Sequence, residues 1–208
     1  DEISSPAAAA APVPAQGYTI PAKNLNPAAT EGLIDIASAI LKCARCELSF
    51  SCKNRVPGDG RVDSKIVVIS GAPGADEIKR GLPLTDAERD FFYKWTDAIS
   101  IDRNDLIFTN IVKCSPGRNP VKRDHIEACR GYLDNQLKIV NPRAVITLGA
   151  LPFASLRMGK VAMDKEHGVI FQYNGFKVIP LFHPSEVLSA PQLKAPVWND
   201  LKTLKNNI

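Results

Sequence analysis

Apolar residues in this chain follow two spacings. From Leu33 they recur at Leu33, Ile36, Ala37, Ile40 and Leu41, the stripe of a single helix face, and the stripe stops where Cys43 and Cys46 begin. Four short runs are almost continuously apolar: Ile66 to Ser70, Leu106 to Val112, Ala144 to Leu148 and Lys177 to Phe182. Their β-branched content predicts strands buried on both faces. Helical patterning separates them at Asp86 to Ser100, Asp124 to Ile139, Ala150 to Met158 and Val197 to Lys205, with Asp124 and Glu127 spaced as a capping box. Alternating strands and helices predict the α/β class, a three-layer α/β/α sandwich around a central, four-stranded, mainly parallel sheet.

Residues 1–28, with SSPAAAAAPVPAQ, are rich in Ala and Pro and lack any amphipathic period, so they are expected to form a disordered tail; residues 29–208 then make one domain. A chain of 208 residues is long enough for one core of this class and short for two. Its formal charge of +4 is compatible with a polyanionic partner but does not require one. No 18-residue apolar run and no basic leader with an apolar core occurs, so the expectation is a soluble, cytoplasmic protein.

In open sheets of this kind ligands bind beyond the carboxyl ends of the strands. The first strand breaks into Ser70-Gly71-Ala72-Pro73-Gly74, the second ends in Thr109-Asn110 with Lys113-Cys114 beyond, and the fourth runs into His183-Pro184-Ser185. Bare backbone in the first loop admits close approach of a ligand, although Gly and Pro also serve a plain turn. Four of the five cysteines are spaced Cys43-x2-Cys46, then 67 residues to Cys114 and 14 to Cys129. Such a set can surround one metal centre, and thiolates suit zinc or an iron-sulfur cluster, a choice the spacing leaves open. Ordinary buried thiols are the bland alternative. Cys52 stands outside the pattern.

Taken in order, CARC at 43–46, VPGDG at 56–60, APGADE at 72–77, Gly81-x-Pro83, TNIVKC at 109–114, ITLGA at 146–150 and HPS at 183–185 resemble the 4Fe-4S uracil-DNA glycosylases, family 4 of that superfamily. The resemblance spans about Leu33 to Leu204. It implies excision of uracil from DNA by hydrolysis of the N-glycosidic bond, the opening step of base excision repair. It also implies a structural 4Fe-4S cluster on Cys43, Cys46, Cys114 and Cys129.

In that pattern Asn110 reads the O4 and N3–H edge of the flipped uracil, because its amide donates and accepts at once. His183 faces O2, where a donor stabilises the departing anion. Ser70, Gly71, Ala72 and Gly74 line the pocket, Ser185 holds a flanking phosphate, Val187 or Leu188 enters the gap in the base stack, and Lys113 meets the DNA backbone. Two positions depart from the family form. Gly71 stands where a glutamate is usual, so Glu77 is the carboxylate expected to orient the water, and Leu84 replaces a stacking phenylalanine. These departures keep a second reading in view, a catalytically weak or inactive DNA-binding module of the same fold. Cysteines alone would also admit a redox protein. The expected setting is a nucleoid-associated monomer, with the tail available to a repair or replication partner.

Overall fold

A computed structural model describes residues 18–19 and 27–208. Its sheet has seven strands: β1 (Tyr18–Thr19), β2 (Asp59–Arg61), β3 (Ile66–Ser70), β4 (Leu106–Asn110), β5 (Ala144–Leu148), β6 (Phe171–Tyr173) and β7 (Phe176–Leu181). They lie in the order β1-β2-β4-β3-β5-β7-β6. The four strands expected from the sequence are its parallel centre, β4-β3-β5-β7. Short strands extend both edges, with β2 antiparallel to β4 and β6 antiparallel to β7. Among the described residues nine α-helices accompany the sheet: α1 (Pro27–Leu41), α2 (Leu48–Ser51), α3 (Ala75–Arg80), α4 (Asp86–Ala98), α5 (Arg123–Val140), α6 (Ala150–Arg157), α7 (Met163–Glu166), α8 (Pro184–Ser189) and α9 (Lys194–Lys205).

Side chains alternate across a strand, and here the alternation builds two cores. Ile66, Val68, Leu106, Phe108, Ile146 and Ile179 pack with residues of α4, α8 and α9. Val67, Ile69, Ile107, Val145 and Val178 pack with residues of α1, α5 and α6 on the other face. This is the three-layer arrangement the patterning predicts. The chain leaves β3 toward the first face and β5 toward the second, so a crevice opens between the carboxyl ends of these two neighbours.

Some boundaries differ from expectation. Within the stretch read as a tail, Tyr18–Thr19 pair with Gly60–Arg61 and Pro27 opens α1; its other residues before Pro27 lie outside the described part. Asp124 does not cap α5. The helix starts at Arg123, and His125 Nδ1 accepts the Lys122 N–H at 3.1 Å in its place. That histidine is buried, with its Nε2 3.0 Å from Glu47 Oε1, so it ties α5 to the segment after the first cysteine pair.

Candidate active site

Ser70 and Asn110 are register partners at the carboxyl ends of β3 and β4, and His183 follows β7 after Phe182. Together with the loop after β5 they border a cleft of about 320 Å³, lined by Ser70, Gly71, Ala72, Gly149, His183 and Ser185. Asn110, beside Ser70 on the neighbouring strand, is completely buried. Gly149 sits at φ 83°, in the left-handed region, with its N–H on Leu181 O at 2.8 Å. A Cβ there would stand 3.5 Å from that of His183, so the strand-to-helix turn brings bare backbone up to the histidine.

The histidine's tautomer follows from its neighbours. Backbone N–H groups only donate, and Ser185 N–H reaches His183 Nδ1 at 3.3 Å, with Ser185 Oγ at 2.7 Å from the same nitrogen. Nδ1 is therefore the acceptor and Nε2 carries the proton. Nε2 lies 3.2 Å from Ser70 Oγ, so the N–H points into the cleft. Burial holds the imidazole pKa below its ordinary 6.5, against the opposing pull of Glu88 and Glu186. Glu88 Oε1 stands 3.8 Å from Nδ1 while its other oxygen accepts from Thr85 N–H at the start of α4. Sequence reasoning missed Glu88, although Thr85 and Glu88 form a capping box whose spacing was there to be read.

Asn110 is the most unusual polar group. Neither its Nδ2 nor its Oδ1 has a hydrogen-bond partner among the described residues. Buried amides are ordinarily paired, and leaving one unpaired costs on the order of 1–3 kcal/mol per group. The Asn110 amide, able to donate and accept at once, stands next to Ser70 of the cleft lining.

Other candidates fall elsewhere. Glu77 is buried, and both its oxygens are engaged: Gly74 N–H donates to Oε2 at 2.6 Å and Leu84 N–H to Oε1 at 3.0 Å. Burial pushes this carboxyl above its usual range, against the two amides. Leu84 itself is held at φ 62° and is 1% exposed, inside the first core rather than on the cleft wall. Val187 is likewise core, at 0%, whereas Leu188 is 49% exposed; of the two, only Leu188 is free to enter DNA. Lys113 also departs from its expected place on the surface. It is 2% exposed and its ammonium is spent on internal acceptors, so it cannot meet a phosphate. At Gly71 the backbone is unstrained, and an added Cβ would only touch Leu151 at 3.4 Å.

The cysteines gather on the second face. Cys114 and Cys129 are each 4% exposed in that core, with Cys46 and Cys52 packed alongside and Cys43 in an adjoining cluster with Tyr132. All five are free thiols. Burial pushes the Cys129 thiol up, against the Lys113 N–H that donates to its sulfur, with Cys46 and Cys43 near enough to add to the rise. Cys52, outside the sequence pattern, lies within hydrogen-bond reach of Cys114. Among the described residues no three such ligands converge tightly enough to hold a single metal ion. As donors, thiols suit zinc or an iron-sulfur group alike.

Residues 57–202 match the family model of the uracil DNA glycosylase superfamily. Type-4 uracil-DNA glycosylases are among the relatives. That of Thermotoga maritima is 33% identical over 86% of this chain and 96% of its own length. Those of Archaeoglobus fulgidus (30% identical, 84% of this chain and 92% of that protein) and Saccharolobus solfataricus (31%, 82% and 83%) are similar to a comparable degree.

Proposed function

The chain belongs to the uracil DNA glycosylase superfamily, and from that premise we propose that it excises uracil from DNA by hydrolysing the N-glycosidic bond, opening base excision repair. The observation that carries the reading is the buried carboxamide of Asn110, without a hydrogen-bond partner among the described residues, beside Ser70 of a cleft that His183 also lines. A uracil turned out of the stack offers Asn110 an acceptor at O4 and a donor at N3, while cytosine offers neither in that order. As the bond to C1′ breaks, negative charge grows on the ring, and the Nε2–H aimed at O2 binds it more strongly than it binds the intact nucleotide. Ser70 Oγ holds that N–H until O2 replaces it. Water then adds to C1′ of an oxocarbenium-like sugar, an electrophile reactive enough that charge stabilisation on the leaving group carries most of the catalysis. Glu77 serves that step indirectly, by fixing the loop at Gly74 and Leu84. Ser185 lies at the cleft mouth for a flanking phosphate, and Leu188 is the exposed wedge.

Cys43, Cys46, Cys114 and Cys129 would hold a 4Fe-4S cluster, whose iron-thiolate bonds supply structural closure between the end of α1, the segment after β4, and α5. In the same reading the protein acts as a monomer, at the nucleoid where its substrate lies. No helix among the described residues is long and apolar enough to cross a membrane.

The test is incubation of the cluster-loaded protein with an oligonucleotide holding one uracil, reading free base and alkali-labile abasic strand. Both should appear together. Tight binding of the oligonucleotide with no free uracil would instead favour the DNA-binding module, the reading that Gly71 and the committed Glu77 oxygens keep open.

A further inference from the structure

Lys113 is a lysine in a place where a hydrocarbon would be cheaper. Its side chain is among the largest fully buried ones, and its Nζ donates to Thr109 Oγ1 at 2.5 Å, Asn110 O at 2.8 Å and Gln136 Oε1 at 2.8 Å. Three donors meet three acceptors, so the ammonium is satisfied. All three acceptors are neutral, and a buried cation without a carboxylate is costly to keep. A position that only filled space would be better filled by Leu or Met.

The cost has a visible return at Asn110. This residue ends β4, and the chain turns away from the sheet immediately after it: the Ile111 N–H goes to Ser70 O at 2.9 Å and Gly71 O at 3.0 Å. The Asn110 carbonyl is held by Lys113 Nζ. Since the Asn110 carboxamide has no hydrogen-bond partner of its own among the described residues, its aim follows from packing and from where the main chain carries it. The lysine is itself firmly seated. Its carbonyl accepts from Val56 N–H at 2.9 Å and its N–H donates to the Cys129 thiol. Gln136 and Thr109, the other two acceptors, both donate to Pro57 O, at 2.9 and 3.2 Å.

We infer that Lys113 is a positioning residue for base reading: its ammonium clamps the Asn110 main chain to α5 and to the cysteine-lined wall, and so aims the carboxamide at the base. The inference rests on the glycosylase reading above. It also means that the cysteine site and the base pocket share one rigid connection.

The test uses the cluster-loaded full chain carrying Lys113→Met, Lys113→Gln or Gln136→Met. Three quantities are read: iron per protein, affinity for an oligonucleotide bearing a stable abasic analogue, and the single-turnover rate of uracil release at saturating protein. The expected result for Lys113→Met is a rate at least tenfold lower, with iron content and abasic-DNA affinity as in the parent. Lys113→Gln, whose amide still donates to the Asn110 carbonyl, should recover part of the rate. Gln136→Met, which leaves that bond but frees the lysine at one end, should lose less and serves if Lys113→Met does not fold. Unchanged rates, or rate and abasic affinity falling in proportion, would overturn the inference alone. A parent protein that releases no uracil would overturn the glycosylase reading, and the inference with it.

Discussion

Because both polar atoms of the Asn110 side chain are buried without partners, a substitution there has an unusual sign. Leucine has nearly the same shape as asparagine, so Asn110→Leu removes two unsatisfied groups without opening a cavity. Each such group costs on the order of 1–3 kcal/mol, so relief at the lower bound is about 2 kcal/mol. For a domain of this size roughly 2–4 °C in Tm accompanies each kcal/mol, which predicts a rise of about 4 °C or more. The same variant has no donor or acceptor for the uracil edge and should release no base. Scanning calorimetry and base release on one preparation check both halves. A variant less stable than the parent would show that the carboxamide is satisfied in the free protein, and the argument from its burial would collapse.

Three further outcomes follow from the same geometry. Glu77→Ala strands the Gly74 and Leu84 N–H groups, each bonded to a carboxylate, so a loss of about 3 kcal/mol and a Tm drop of roughly 6–12 °C are expected by calorimetry; a change under about 2 °C would contradict the role assigned to it. For pH, the His183 pKa is depressed, so the neutral, Nδ1-accepting form persists below 6.5 and is lost only as pH falls through the lower folded value. Any step in the pH-rate profile that His183→Ala abolishes should therefore lie below pH 6.5, with release level through neutrality; such a step above 6.5 would show that burial does not depress this imidazole. Leu188→Ala should slow release from duplex DNA while sparing single strands, since only a duplex has a stack to be filled; an equal effect on both would remove the wedge.

How much of this was legible in advance depends on the kind of signal each residue carries. The four central strands declared themselves because burial on both faces demands unbroken apolar runs. The edges did not: β2 is three half-buried residues, including Gly60, whose Cβ would stand 2.7 Å from Ile107 Cα. Closeness of approach, not hydrophobicity, makes that strand, and sequence does not display closeness. Asn110 and His183 were found as polar residues at strand ends. Lys113 was misplaced because a lysine's chemistry predicts water, and only the ring of Thr109, Asn110 and Gln136 around it, drawn from two elements, explains its burial. Val187 and Leu188 were a choice of helical phase, which packing against the first core decides. His125 is buried near the start of α5, a placement legible only from its bonds to Lys122 N–H and Glu47.

The central claim is that His183 works by donating Nε2–H to the departing base. Its most direct test is the single-turnover rate of uracil release by His183→Ala beside the parent, at saturating protein and neutral pH. Loss of one such donor is expected to cost about 10²–10³ in rate, with affinity for uracil-containing DNA little changed. A variant that releases uracil as fast as the parent would contradict the account.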